Sequence, residues 1–475
     1  MQKFLTTFLI SMPLLLFAQR ITISEDIPLR SEVAYEIIGS FKDRILLFRD
    51  RVTEFEIQAF NHQMRESWSK KLNLEKRSPK VLGFVASDTD FTLIYRYRDR
   101  NHTIVKAHRY DPAANLRDTF TIKDFGFLFY TPNFQLIRSE DKSKVLIYYV
   151  ENQSVFRAIS YDAIKMEVLW EKSFAPENMN FWEDFQQALV TDTGDMYVVL
   201  TKNRLRYRKD DHYYEVFQLD GTPQTPLRYH MPVGGEKTTY DVRFVYDNRN
   251  DQLVGAGLFS DKNPERAAGY FYIRSPLGFD SDFLFSFDYF DDEFIASLAG
   301  KAADNKGILE IVVQDVVLRR DGGAVLVCER ARELMRAMGS PRAMSMGVRQ
   351  IVDHYHDDAF VISIHPDGRT HWRTILYKKQ YSQDDNGIYS SFFLFKSPTN
   401  IRLLFNDEVR FENTVSEYIV YGNGSFDRKS LMSTANLDLR LRFRDAIQLS
   451  SDEVVIPSER RNRLKLVRLQ YEEGN

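Results

Sequence analysis

The hexapeptide DHYHDD at residues 353–358 crowds imidazoles and carboxylates together. On an extended strand alternate side chains share a face, so His354, His356 and Asp358 would project together. Two imidazoles and a carboxylate form a donor set suited to Zn2+ or Fe2+. The competing reading is a strand with an ordinary polar face, and no cofactor is expected. Asp384 and Asp385 in QDDNG (383–387) invite an acid–base reading. Their composition is nonetheless that of a turn, with Asx side chains capping their own backbone and Gly387 supplying positive φ.

The other chemistry-bearing stretches reduce to structure. YDNRNDQ (246–252) offers oxygen ligands but lacks the Gly and distal Glu of a calcium loop, and reads as a hairpin turn. LRYRK (205–209), LRLRFR (439–444) and RRNRLK (460–465) alternate basic with apolar residues, as a strand with one wet, charged face does. No Gly-rich phosphate loop, G-x-S-x-G or Cys-x-x-Cys occurs. Cys328, the single cysteine, lies in the apolar run GAVLVCER and reads as a buried small hydrophobe, so no internal disulfide can form. No catalytic residue is assigned.

The elements that would position these groups repeat along the chain. An alternating apolar strand, a polar turn and a second strand bearing an aromatic recur as QAFNHQMRESWSKKL (58–72), HRYDPAANLRDTFTI (108–122) and ISYDAIKMEVLWEKSF (159–174). Further copies begin at 217, 272, 362 and 418. The turn residues Asn61, Asp111, Asp162 and Asp220 are spaced by 50, 51 and 58. Between copies lie further alternating strands such as RILLFRD (44–50) and FTLIYRYRD (91–99), giving about four strands per unit. Four antiparallel strands at this period predict an all-β fold, a β-propeller of eight blades with seven as the alternative count. Stacking blades face to face buries both flanks of each sheet. Trp68, Trp170 and Trp372 fall at one place in three hairpins and are expected to pack blade on blade.

Two departures stand out. From Pro276 to Asp367 the spacing stretches to 91, around DDEFIASLAGKAADNKG (291–307) and RARELMRAMGSPRAMSMG (330–347). Both segments are rich in helix formers and predict short helical insertions or exposed loops, on the face where a repeat protein binds. The C-terminal stretch 446–471 supplies three strands without a fourth, and RITISEDIPL (20–29) supplies a spare one. Their union would complete the last blade and close the ring.

The segment VDHYHDDAFVISIHPDGRTHWRTILYKKQYSQDDNGIYSSFFLF, followed by NIRLLFND, resembles a pattern in uncharacterised secreted proteins of gliding and related environmental bacteria. There a P-D/N-G turn and a Trp strand precede K-x-Q, an acidic turn and a Ser-aromatic strand. The resemblance covers residues 352–407 and implies a propeller-like exported protein without an assigned activity.

The opening MQKFLTTFLISMPLLLFAQ has the form of a cleaved secretory signal: one lysine, an apolar run too short to span a bilayer, and Ala18 before polar sequence. Removing 18 residues from 475 leaves 457, expected as one propeller domain over 19–475. Loss of Lys3 moves the net charge from −3 to −4, which gives no electrostatic case for nucleic acid. Export without disulfides fits a bacterial periplasm or exterior. The expected function is a non-catalytic binding or scaffold module of the envelope, holding a protein, peptide or glycan. The alternatives are a hydrolase or lyase working at the central channel, or a structural subunit of an envelope complex.

Overall fold

In the computed structural model the described residues are 19–29, 32–51, 53–75, 79–204, 211–222, 225–235, 237–261, 263–276, 283–299, 307–338, 349–409 and 414–471. Eight antiparallel sheets follow one another along the chain. Blades one to seven occupy 34–72, 80–127, 135–174, 185–232, 238–289, 311–376 and 393–433, each with its four main strands in sequence order. From blade one to blade six the first strands of successive blades touch one another, as strands that line an axis do. Blade eight combines Ile447–Gln448, Glu453–Arg460 and Arg463–Gln470 with the N-terminal strand Arg20–Ile23, which pairs Arg20 with Gln470 and Ile23 with Val467. Ile27–Pro28 extends this pairing. The ring is an eight-bladed β-propeller closed by its N-terminus. Residues 1–18, with the expected signal, lie outside the described residues.

The recurrent hairpin is the turn between the third and fourth strands of a blade. It recurs because an Asx side chain folds it: Asn61, Asp111, Asp162, Asp220, Asp367 and Asn423 each accept the backbone N–H two residues on. The core is eight apolar clusters, one in each seam between neighbouring blades. The tryptophans work across these seams as expected. Trp170 of blade three donates its indole N–H to the Gly194 carbonyl of blade four at 3.1 Å, and Trp372 of blade six donates to Gly422 of blade seven at 2.8 Å. Trp170→Phe keeps the packing and leaves the Gly194 carbonyl one donor short. It should cost about 1–2 kcal/mol in chemical denaturation, and an unchanged midpoint would show that the bond contributes nothing.

The two insertions differ. Asp292–Ala299 is a helix, as predicted, but it fills a seam rather than serving as a binding loop. Phe294, Ile295 and Leu298 are buried between blades five and six, and Arg330 donates to the Leu298 carbonyl at 2.6 Å. The helical expectation for 330–347 is corrected. Residues 330–338 continue the strand Ala324–Met338, which pairs with Arg349–Ile364 from Ala324–Ile364 out to Met338–Arg349. Helix propensity in ARELMRAM amounts to only tenths of a kcal/mol per residue. The ladder and its cross-strand pairs, Arg336 with Asp353 and Glu333 with His354, outweigh it. Residues 300–306 and 339–348 lie outside the described residues.

LRLRFR is likewise not a strand. Leu439, Leu441 and Phe443 are buried in the crossover from blade seven to blade eight, and Phe443–Asp445 forms a 3-10 turn.

Candidate functional site

Each blade's antiparallel order defines two faces of the ring. One carries the first-to-second and third-to-fourth turns. The other, the crossover face, carries the second-to-third turns and the connections between blades. The long hairpin of blade six belongs to the crossover face, as does DHYHDD.

The hairpin buries a charge cluster at its root. Glu329 and Lys378 are fully buried and 2.5 Å apart. The Glu329 carboxylate also accepts from Gln314 at 2.7 Å, Ser391 at 2.7 Å and His356 Nδ1 at 3.1 Å. Burial alone would push this carboxyl up, but the Lys378 ammonium and the His356 hydrogen bond hold it down to about 2. Lys378 donates to the His356 carbonyl and to Gln380 Oε1, both at 3.0 Å. The outer nitrogen of His356 faces Arg444 Nη2 at 3.0 Å. A guanidinium can only donate, so Nε2 accepts and the proton sits on Nδ1, pointing at Glu329. Both ring nitrogens of His356 are thereby engaged.

His354 and His356 do share a face, and both are buried. His354 Nδ1 meets Glu333 at 3.0 Å, and its Nε2 has no hydrogen-bond partner among the described residues. Asp358 does not join them. The ladder slips by one residue between the pairs His356–Ala331 and Ala359–Glu329, and that bulge takes Asp358 out of phase. It accepts the Lys378 backbone N–H at 3.1 Å instead, and burial pushes its carboxyl up. Among the described residues no group of three or more His, Cys, Asp or Glu is gathered to hold a metal ion.

QDDNG is the turn its composition predicts, with positive φ at Asp384, Asn386 and Gly387. It is also pinned on both sides. Asp384 accepts the Val352 N–H at 2.9 Å, and Asp385 pairs with Arg440 at 3.2 Å. The first strand of blade seven begins after this turn, at Phe393. YDNRNDQ forms the first hairpin turn of blade five, Asp247 accepting from Arg249 and Asn250. Cys328 is buried, and burial pushes its thiol up.

Two cavities open at the axis. On the turn face, about 880 Å3 is lined by Leu189, Val245 and Val317 together with Trp372, Tyr421 and Arg319. On the crossover face a polar cleft of about 790 Å3 lies between blades eight and one, lined by Glu32, Tyr35, Glu36, Arg442, Arg444 and Glu459 among others. Sequence reasoning missed Glu329, Lys378 and Arg444. The available signal was a glutamate closing the apolar run AVLVCE, where only a paired charge survives burial.

No protein-family model and no curated protein matches this chain. Solved structures do. The chain is similar to the polysaccharide lyase Uly1, with 9% identity over 84% of this chain and 91% of that one and a TM-score of 0.39. It is similar to the β-propeller domain of the Trilobed protease from Pyrococcus furiosus, with 9% identity over 88% and 99% and a TM-score of 0.38. It is also similar to Porphyromonas gingivalis dipeptidyl peptidase 4, with 9% identity over 91% of this chain, 56% of that one and a TM-score of 0.45. At these identities the likeness is one of fold.

Proposed function

We propose that the protein is an exported binding or scaffold ring of a bacterial envelope that engages a protein partner through its crossover face. The observation that carries this reading is an asymmetry. Among the described residues fifteen large hydrophobic side chains are exposed, and twelve of them lie in the crossovers, in the blade six hairpin or at strand ends that meet them. Only Leu116, Ile164 and Phe426 belong to the turn face. Four exposed aromatics lie on two successive crossovers: Phe127 at 67%, Phe129 at 76% and Tyr130 at 81% on one, and Trp182 at 76% on the next. The stretch FGFLFYTPNF (125–134) around three of them contains no charge. Exposed aromatics of this kind are the anchor type of protein interfaces, and the hairpin adds exposed Leu334 and Met335 to the same face. A hydrolase or lyase reading would want a histidine or carboxylate free to move a proton. The His356 and Glu329 pair does not offer one, because each is engaged within the fold.

No helix among the described residues is long and apolar enough to cross a membrane. The leader expected over 1–18 would deliver the chain across one.

The test uses the tagged full chain expressed in its own envelope, with the exported form's N-terminus read by mass. The reading expects a stoichiometric protein that co-purifies with the wild type. Phe129→Asp with Trp182→Asp should lose it at least tenfold, while Phe426→Asp on the opposite face should retain it. Equal retention by the crossover-face variant, or loss through Phe426→Asp alone, would overturn the assignment of the face. Absence of any partner together with turnover of a glycan or peptide would overturn the function.

A further inference from the structure

We propose that the cleft between blades eight and one is a binding site for a carboxylate-bearing small ligand, with Arg444 as its anchor and His356 as the residue that positions that anchor. Charges of both signs line the cleft. Four carboxylates face it or edge it, and each already has a cation. Glu32 is paired with Arg51 at 2.9 Å and with Arg49. Glu36 is paired with Arg138 at 3.2 Å, a guanidinium that reaches from blade three across Gly83, where an added Cβ would stand 3.2 Å from it. Asp445 is paired with Arg442 at 2.5 Å, and Glu459 with the same arginine. The Tyr35 hydroxyl closes this last group, accepting from Arg442 at 3.0 Å and donating to Glu459 at 3.2 Å.

Arg444 is what remains. Among the described residues it has no carboxylate partner, and its side chain makes one hydrogen bond, to His356 Nε2. A guanidinium has five N–H donors, so four are left for an incoming group, in the fork geometry that matches a carboxylate bidentately.

The guanidinium is held rather than floating. Behind it His356 is fixed by Glu329, and Glu329 by Lys378, Gln314 and Ser391, all inside the fold. Gly387 keeps the approach close: a Cβ there would stand 3.4 Å from His356 Nε2 and 3.5 Å from Arg444 Nη2. A long cationic side chain anchored by a buried acceptor loses less freedom when it takes an anion. The cleft volume suits a ligand of two or three sugar or amino-acid units. A uronic acid and a peptide C-terminus share the chemistry this site would read.

Four probes separate carboxylate recognition from general stickiness. These are D-galacturonate against its neutral twin D-galactose, and N-acetylglycine against N-acetylglycinamide, titrated into the full chain by calorimetry or NMR at low salt. At least one acid should bind at least tenfold more tightly than its neutral twin. Which acid does so distinguishes a sugar source from a peptide source. Arg444→Gln should abolish the difference without moving the melting temperature, since the side chain is exposed. Arg444→Lys, a point charge without the fork, should retain only part of it. His356→Gln keeps an acceptor for Arg444 and should retain most of the difference, whereas His356→Phe should lose it with Arg444 still present. Equal binding of acid and twin, an unchanged preference in Arg444→Gln, or no binding of either acid at tens of millimolar would overturn the proposal.

Discussion

Removal of residues 19–29 should lower the melting temperature by roughly 5–10 °C and leave a ring that opens at blade eight. The deletion takes away the outermost strand of that blade and its ladder to Arg463–Gln470. It also takes the backbone bonds from Ser24 to Leu466 and from Leu29 to Asn462, both 2.9 Å. Ile27 is buried in the seam between blades eight and one, and Ile21 and Ile23 pack against the seam between blades seven and eight. Burial of three isoleucines is worth about 1.5–3 kcal/mol each, the hydrogen bonds about 1 kcal/mol each. Unfolding entropy grows with chain length, so in a chain this long such a loss moves the midpoint by about one degree per kcal/mol. Differential scanning calorimetry of the deletion checks it. Ile23→Ala combined with Ile27→Ala keeps the chain length and should show part of the same loss. If both transitions coincide with the wild type, the N-terminal strand is an ornament and the ring is held by its seams alone.

That closure was legible in the sequence because it is a matter of counting. Three C-terminal strands without a fourth, and one N-terminal strand without a sheet, have a single economical solution. The blade count was legible for a related reason. The Asx residue of each third-to-fourth turn is held in place by the N–H bonds it accepts, so its type persists where the rest of the blade diverges. The tryptophans carried one further layer, naming which blade touches which.

The site was much less legible. DHYHDD reads as three ligands on one face only if the strand is regular, and a bulge at Asp357–Asp358 that leaves no mark in composition removes the third. ARELMRAM reads as helix by propensity, and only the partner strand that pairs His356 with Ala331 at its root makes it a hairpin. Arg444 sits in an alternating basic stretch that looks like a wet strand face. Its distinction, that it lacks the carboxylate its neighbours have, is a property of eight blades brought together and not of any six residues.

The buried pair at the hairpin root yields the other large effect. Lys378→Met should destabilise the fold by about 3–5 kcal/mol, because it strands the Glu329 carboxylate in a site where neither side chain meets water. Glu329→Gln should be costly for the converse reason, leaving an ammonium without its counter-charge. The double variant Lys378→Met with Glu329→Gln should recover most of either loss, since removing both charges removes the desolvation they share. Acid titration separates the charge from mere packing. A carboxylate held down to about 2 in the fold and near 4.5 when unfolded contributes stability that is fully present above pH 4.5 and is lost as pH falls towards 2. The stability gap between wild type and Glu329→Gln, measured by urea denaturation, should therefore be constant from pH 7 to about 5 and shrink steadily below it. A gap that ignored pH would mean that the glutamine variant suffers from shape alone. The hairpin would then stand on its ladder, and His356 would not need the Glu329 charge to face Arg444.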